Sequence, residues 1–337
     1  MKIIEKTKIA QMKSVLVFLI GMNLISCHQI KDTAMMNKKI VIAHRGASGY
    51  LPEHTMEAKA MAHAMNSDFI EQDVVLSKDD VAVVIHDIYL DDVTDVAKKF
   101  STRKRADNRY YVIDFTFAEL QTLHVFERFN PKTGAQLYPD RFPKGTGTFK
   151  LHSFEQELQL IQGLNKSTQK NIGIYPEIKD PEFHKKEGKK LTEIVLKLLT
   201  DYGYNTKKDN CILQCFDAKE LERIRVEYKS ELFLVQLIET PEEAKQLKHF
   251  ATYANGIGPH YKQILGQKVA GKFTFTSLVT DAHAFNLKVH PYTLRADVLD
   301  AFSSFEEMIE TLLRDANADG AFTDFPDLMV HYLNTKK

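Results

Sequence analysis

Five side chains in this sequence have types and spacing suited to acid–base chemistry on a charged substrate: His44, Glu71, Asp73, His86 and Glu177. Each follows an apolar run. Ile40–Ala43 leads to His44, Phe69-Ile70 to Glu71, Val81–Ile85 to His86, and Ile172–Tyr175 towards Glu177. Taken singly, each is more readily a packed or solvated side chain. Their shared position, at the end of a β-rich run, is how α/β enzymes build a site. Strand alternation puts Glu71 and Asp73 on one face and Gln72 on the other. Burying two such carboxylates together requires a counter-charge, most simply a metal ion. Glu177 and Lys179 also alternate onto one face. Three hard oxygen donors suit Mg²⁺ or Ca²⁺ at about 2.0–2.6 Å, with Ca²⁺ the first expectation. No HExxH motif or His/Cys cluster argues for zinc. His44 and His86, with an ordinary pKa of about 6.5, can act as a general acid and base. Arg45 and Lys179 can hold phosphate oxygens. A metal, two histidines and two cations together describe cleavage of a phosphate ester.

The elements that position these groups follow from hydrophobic patterning. β-rich runs begin near residues 41, 69, 174, 211, 232, 256, 288 and 321, and helical patterns separate them. Eight alternating units predict a (β/α)8 TIM barrel, and no GxGxxG or Walker loop argues for a doubly wound sheet. Gly46 and Gly49 allow a tight turn after the first strand. Residues 51–55 then open a helix to about Asn66, with Met56, Ala60 and Ala64 on one face. Capping boxes start at Ser153, Thr240 and Ser304, and residues 275–286 read as helix. Cys211 and Cys215 stand about 13 Å apart on one strand, too far for a disulfide, and are expected to be buried thiols.

The whole chain of 337 residues balances 45 Lys+Arg against 45 Asp+Glu, which gives no reason to expect a nucleic-acid partner. The stretch at about 96–150, following the second strand unit, differs in texture. It carries 11 basic and 5 acidic residues, with 10 Phe or Tyr. It reads as a small inserted subdomain, either a basic lid that favours anions or a surface excursion without chemistry. The N-terminus has Lys2, Lys6, Lys8 and Lys13 before an apolar stretch from Val15 to Ile25. This stretch is short for a membrane-spanning helix. It ends in Leu24-Ile25-Ser26-Cys27, which resembles a bacterial lipoprotein signal with Cys27 as the lipidated residue. An ordinary signal peptide or an uncleaved anchor are the other readings. The expected organisation is a signal at 1–26, a tether at 27–38 and a barrel domain at 39–332. The mature protein would be exported and held to a membrane by lipid, facing the periplasm or the cell surface.

The motifs, in order, are His44-Arg45-Gly46-Ala47, Pro52-Glu53-His54-Thr55, Glu71-Gln72-Asp73, His86-Asp87, Pro176-Glu177-Ile178-Lys179 and Phe322-Thr323-Asp324-Phe325-Pro326. Together they resemble the glycerophosphodiester phosphodiesterase family over roughly residues 40–330. Leu90–Asp95 and His290–Arg295 look like its bacterial periplasmic branch. The resemblance implies a metal on Glu71, Asp73 and Glu177, catalysis by His44 and His86, and phosphate binding by Arg45 with Lys179. It implies hydrolysis of small-molecule glycerophosphodiesters to glycerol 3-phosphate and an alcohol. Many members have asparagine where this chain has His54, which is expected to open the helix with little effect. Gln214, Phe216, His260, Tyr292 and Arg295 fall at or just after strand ends, and either line the substrate pocket or simply pack. The rival readings are a phospholipase C- or D-like barrel acting on intact lipids, and a non-catalytic surface-binding lipoprotein.

Overall fold

The computed structural model describes residues 38–336. The signal segment, Cys27 and all but the last residue of the tether lie outside the described residues. Eight parallel strands form the sheet: β1 (Ile40–Ala43), β2 (Phe69–Leu76), β4 (Gly173–Ile178), β5 (Ile212–Cys215), β6 (Phe233–Ile238), β7 (Gly256–Pro259), β10 (Lys288–Val289) and β11 (Gly320–Thr323). Their order around the sheet is β10-β7-β6-β5-β4-β2-β1-β11. Backbone bonds from Asp319 to Val289, at 2.9 Å, and from Phe322 to Pro291, at 3.0 Å, bring the two ends together. The fold is a (β/α)8 barrel.

Alternation divides the apolar residues into two layers. Ile42, Tyr175, Ile212, Val235 and Phe322 fill the barrel. Val41, Ala43, Ile70, Val74 and Leu213 face the surrounding helices, and Cys211 and Cys215 are buried with them as free thiols. Glu71, Asp73, Glu177 and Gln214 take inward positions above the filled interior. In register, Asp73 pairs with Glu177, and Glu177 with Gln214.

Several local expectations are sharpened or corrected. Val81–Ile85 leads to His86 as a strand outside the eight of the barrel. β3 (Ala82–Val84) runs antiparallel to the overhanging end of β2, pairing Val84 with Val74. The turn at Ser77–Asp80, with Asp80 at φ 62°, folds the chain straight back, so His86 returns to the level of Asp73. The helix Met56–Ala64 buries Ala58, Lys59, Ala62 and His63 rather than Met56, Ala60 and Ala64. Lys59 can turn inward because Glu157 meets it at 3.2 Å. Residues 275–286 are helical only over Leu278–Ala284; before them β8 (Leu265–Val269) and β9 (Lys272–Phe275) form a separate hairpin. The Ser153 and Thr240 boxes do form, but the second starts only a 3-10 turn at Glu243–Gln246. The stretch after β3 has its own apolar core, which includes Val83, Ile85, Phe115, Leu123 and Phe149. That core reaches outside residues 96–150, back to the β2–β3 hairpin and forward to Leu151.

Candidate active site

His44 leaves the end of β1 at a turn that the next two residues make possible. Arg45 (φ 58°) and Gly46 (φ 87°) are both left-handed, and a Cβ on Gly46 would lie 2.8 Å from the Ala58 carbonyl carbon. The turn aims the His44 ring inward and the Arg45 backbone N–H at Glu71 Oε2, 2.6 Å away. His44 Nδ1 lies 2.7 Å from Asp324 Oδ1. Across the cleft, His86 Nδ1 lies 2.9 Å from Asp87 Oδ1. Each imidazole is thus held at Nδ1 by a carboxylate, which fixes the tautomer and leaves Nε2 for chemistry. Burial, with Arg45 adjacent, lowers His44 to about 4. Burial, with Arg45 and Lys179, does the same to His86. Both rings are neutral at pH 7.

The carboxylates form the floor. Burial and the Asp73 charge push Glu71 well above its ordinary range. Burial pushes Glu177 up to about 8, although Lys179 Nζ lies 2.9 Å from its carboxylate. Burial acts the same way on Asp73, but Lys179, His86 and His54 outweigh it and hold Asp73 well below its usual range. Three buried carboxyls share this floor, and burial with their mutual repulsion raises Glu71 and Glu177. Ligand atoms of His54, Glu71 and Asp73 lie within 4.8 Å of one another. Glu177 is outside that group, paired with Lys179 and next to Asp73 in register; the carboxylate oxygens gathered here fit a divalent cation.

His54, expected to open the helix with little effect, stands against the floor. It is buried, and its Nε2 lies 2.7 Å from Asp73 Oδ2. Burial lowers it to about 4, so the neutral ring donates to Asp73 and orients that carboxylate. Beneath the floor, Lys59 Nζ donates to the Glu71 carbonyl. Glu157, which pairs with Lys59, also accepts from Gln72 at 2.9 Å and meets His152 Nε2 at 2.8 Å. This outward-facing network clamps the backbone of β2 where its two inward carboxylates depart.

The sequence candidates converge on one cleft of about 220 Å³: His44, Arg45, Glu71, Asp73, His86, Glu177, Lys179, Gln214, Phe216, His260, Tyr292 and Arg295 all line it. Phe216, Tyr292 and His260 make an aromatic wall, with Phe216–Tyr292 and His260–Tyr292 ring centroids 5.9 and 5.5 Å apart. Gln214 Oε1 is buried without a partner. The two candidate phosphate cations are already engaged. Arg45 Nη1 lies 3.0 Å from both Glu53 oxygens, and Lys179 lies between Glu177 and Asp73. Residue-level reasoning assigned no role to Asp324, Asp87, Glu53, Arg128 or Arg141. Asp324 directly follows β11 and could have been found by the strand-end rule that found His44. Arg128 and Arg141 come from irregular stretches, where no periodicity marks them. Arg128 binds Glu53 at 2.6 Å and Asp87 at 2.8 Å. Arg141 binds Asp324 and Asp297, each at 2.7 Å.

The barrel and this cleft define a hydrolase-type site of paired imidazoles over an acidic floor. Residues 44–328 match the model of the glycerophosphoryl diester phosphodiesterase family. The glycerophosphodiester phosphodiesterase of Haemophilus influenzae is 45% identical over 333 residues, 90% of this chain and 92% of that one. That of Treponema pallidum is 37% identical, covering 88% of this chain and 92% of that one. A solved Oleispira antarctica phosphodiesterase, in complex with its product sn-glycerol-3-phosphate, shares the fold at TM-score 0.60 and 19% identity, covering 89% of this chain and 99% of that one. The chain belongs to the glycerophosphoryl diester phosphodiesterase family, and it is an enzyme that hydrolyses phosphodiesters.

Proposed function

We propose that this chain hydrolyses glycerophosphodiesters to glycerol 3-phosphate and an alcohol, using a divalent cation held by Glu71, Asp73 and Glu177 and acid–base catalysis by His44 and His86. The observation that carries this reading is the pair of carboxylate-held imidazoles facing one cleft over an acidic floor. When bound, the cation neutralises charge on the diester and polarises its phosphorus–oxygen bonds. Ca²⁺ suits the oxygen donors and is the first choice over Mg²⁺. The remaining work falls to the protein. Arg45 and Lys179 orient the phosphate. Its negative charge raises the proton affinity of the neighbouring imidazoles, so one of them takes up a proton when substrate binds. The attacking oxygen gives its proton to the neutral imidazole and bonds to phosphorus; it comes from water, or from the substrate's own 2-hydroxyl to give a cyclic phosphate that water then opens to glycerol 3-phosphate. The bond from phosphorus to the departing alcohol breaks as the protonated imidazole delivers its proton to that oxygen.

Purified enzyme should release glycerol 3-phosphate from glycerophosphodiesters. Chelation should abolish turnover, and Ca²⁺ or Mg²⁺ should restore it; His44→Ala should abolish it irreversibly. Turnover that survives both treatments refutes the mechanism. We also infer that Cys27 carries a lipid anchor after export, on the strength of the apolar run that ends in Leu24-Ile25-Ser26-Cys27. Cys27→Ser should shift the enzyme from the membrane fraction to the soluble one, and unchanged membrane retention argues against the anchor.

A further inference from the structure

A second cavity of about 170 Å³ adjoins the first. Both are lined by His44, Arg45, His86 and Arg295. Beyond these, the first cavity has the carboxylate floor, whereas the second has Glu53 and Asp324 with Arg128, Tyr138 and Arg141 from the excursion. If the reaction proposed above is correct, the reacting phosphorus sits among the shared residues, because both imidazoles are there. The two halves of a diester then project into different cavities. The floor takes the glycerol that stays with the phosphate, and the second cavity takes the alcohol that leaves.

The lining of the second cavity restricts what that alcohol can be. Both Glu53 oxygens are bound by Arg45 and Arg128. Asp324 Oδ1 meets His44, and Oδ2 accepts from Arg141 and Arg295 at 2.7 Å each. Four guanidiniums therefore surround two carboxylates, and neither carboxylate has a free oxygen for a cation. The one benzene-type ring, Tyr138, has the Arg141 guanidinium 3.7 Å from its centroid, and a single ring so occupied makes no aromatic cage for a quaternary ammonium. Four guanidiniums against two carboxylates leave the lining net positive, which disfavours a cationic alcohol, while guanidinium N–H and the Ser48 hydroxyl suit hydroxyl oxygens. The space of about 170 Å³ suits a small head group.

We propose that this cavity, walled by Arg128, Tyr138 and Arg141, is the leaving-group subsite and selects a small, uncharged, hydroxyl-bearing alcohol such as glycerol over choline. This rests on the reaction proposed above. The test uses the metal-loaded enzyme with three substrates: glycerophosphoglycerol, glycerophosphocholine and the methyl ester of glycerol 3-phosphate, which has almost no head group to seat. The glycerol ester should exceed the choline ester in kcat/KM by about tenfold. Tyr138→Trp, which narrows the cavity from its rim, should lower kcat/KM for the glycerol ester about tenfold and leave the methyl ester within about twofold. In unmodified enzyme, which needs no folded variant, free glycerol should inhibit more strongly than choline. A preference for choline in turnover or inhibition, or an equal effect of Tyr138→Trp on all esters, overturns the subsite while leaving the reaction standing. No turnover of any ester by unmodified enzyme overturns both.

Discussion

At the scale of single residues, the site depends on groups that never contact phosphorus. Asp324 sets the His44 tautomer, so Asp324→Asn should keep the ring in place but present the wrong nitrogen. By analogy with other His–Asp pairs, kcat should fall by on the order of 10³ with little change in KM. Steady-state kinetics check this, and an unchanged kcat refutes it. His54 orients Asp73, and His54→Ala should weaken metal affinity by about 10- to 100-fold. Direct metal titration reads this, and unaltered affinity would return His54 to a helix-opening role. The residues legible in the sequence were those at strand ends, where type and position coincide: His44, Glu71, Asp73 and Glu177. His54 was not legible, because a histidine in a helix-opening turn shows nothing of a carboxylate 19 positions later. Arg128 and Arg141 were hidden for the same reason, since only the tertiary path of an irregular chain brings them to Glu53 and Asp324.

Among the elements, β2 bears the greatest demand. It pairs with β1 and β4 in the barrel and with β3 beyond it, and carries two of the three carboxylates of the floor. The Lys59–Glu157 pair, both side chains fully buried, clamps it from behind. Lys59→Met should destabilise the protein by about 3–5 kcal/mol, because Glu157 would be buried without its counter-charge. Glu157→Gln in the same chain should recover part of that loss. Urea unfolding measures both, and additive losses would show that the two residues do not act as a pair. The eight barrel strands were legible because each is a short apolar run between helical patterns. The β8–β9 hairpin was not, since its residues are mostly exposed and the alternation of Phe273 and Phe275 is too short to mark a strand. The direction of β3 was also unreadable, because an apolar run looks the same whichever way it pairs.

For the molecule as a whole, pH and metal act on the same groups with opposite signs. An unfolded glutamate releases its proton near 4.5, but Glu177 in the metal-free fold keeps it to about 8. The folded chain thus holds an extra proton between those values, and metal-free stability falls as pH rises through that window. His44, His54 and His86 move from 6.5 to about 4. The unfolded chain binds more protons there, so their contribution is lost as pH falls from 6.5 towards 4. In the proposed metal site a cation would replace the carboxyl protons. The rise in Tm when Ca²⁺ is added to chelated enzyme should therefore grow between about pH 6 and pH 8. Thermal melts decide it, and a rise that shrinks over that range refutes the assignment. Another consequence follows from how the excursion is fastened. Val83 bridges to Ser153, and Val84 N–H donates to the His152 carbonyl at 3.2 Å, so the chain re-enters the scaffold beside the point where it left. Length changes between those anchors leave the barrel register untouched. The stretch that brings Arg128, Tyr138 and Arg141 to the second cavity can thus be exchanged as a cassette between relatives, provided that Asp87 and Asp324 keep their arginine partners.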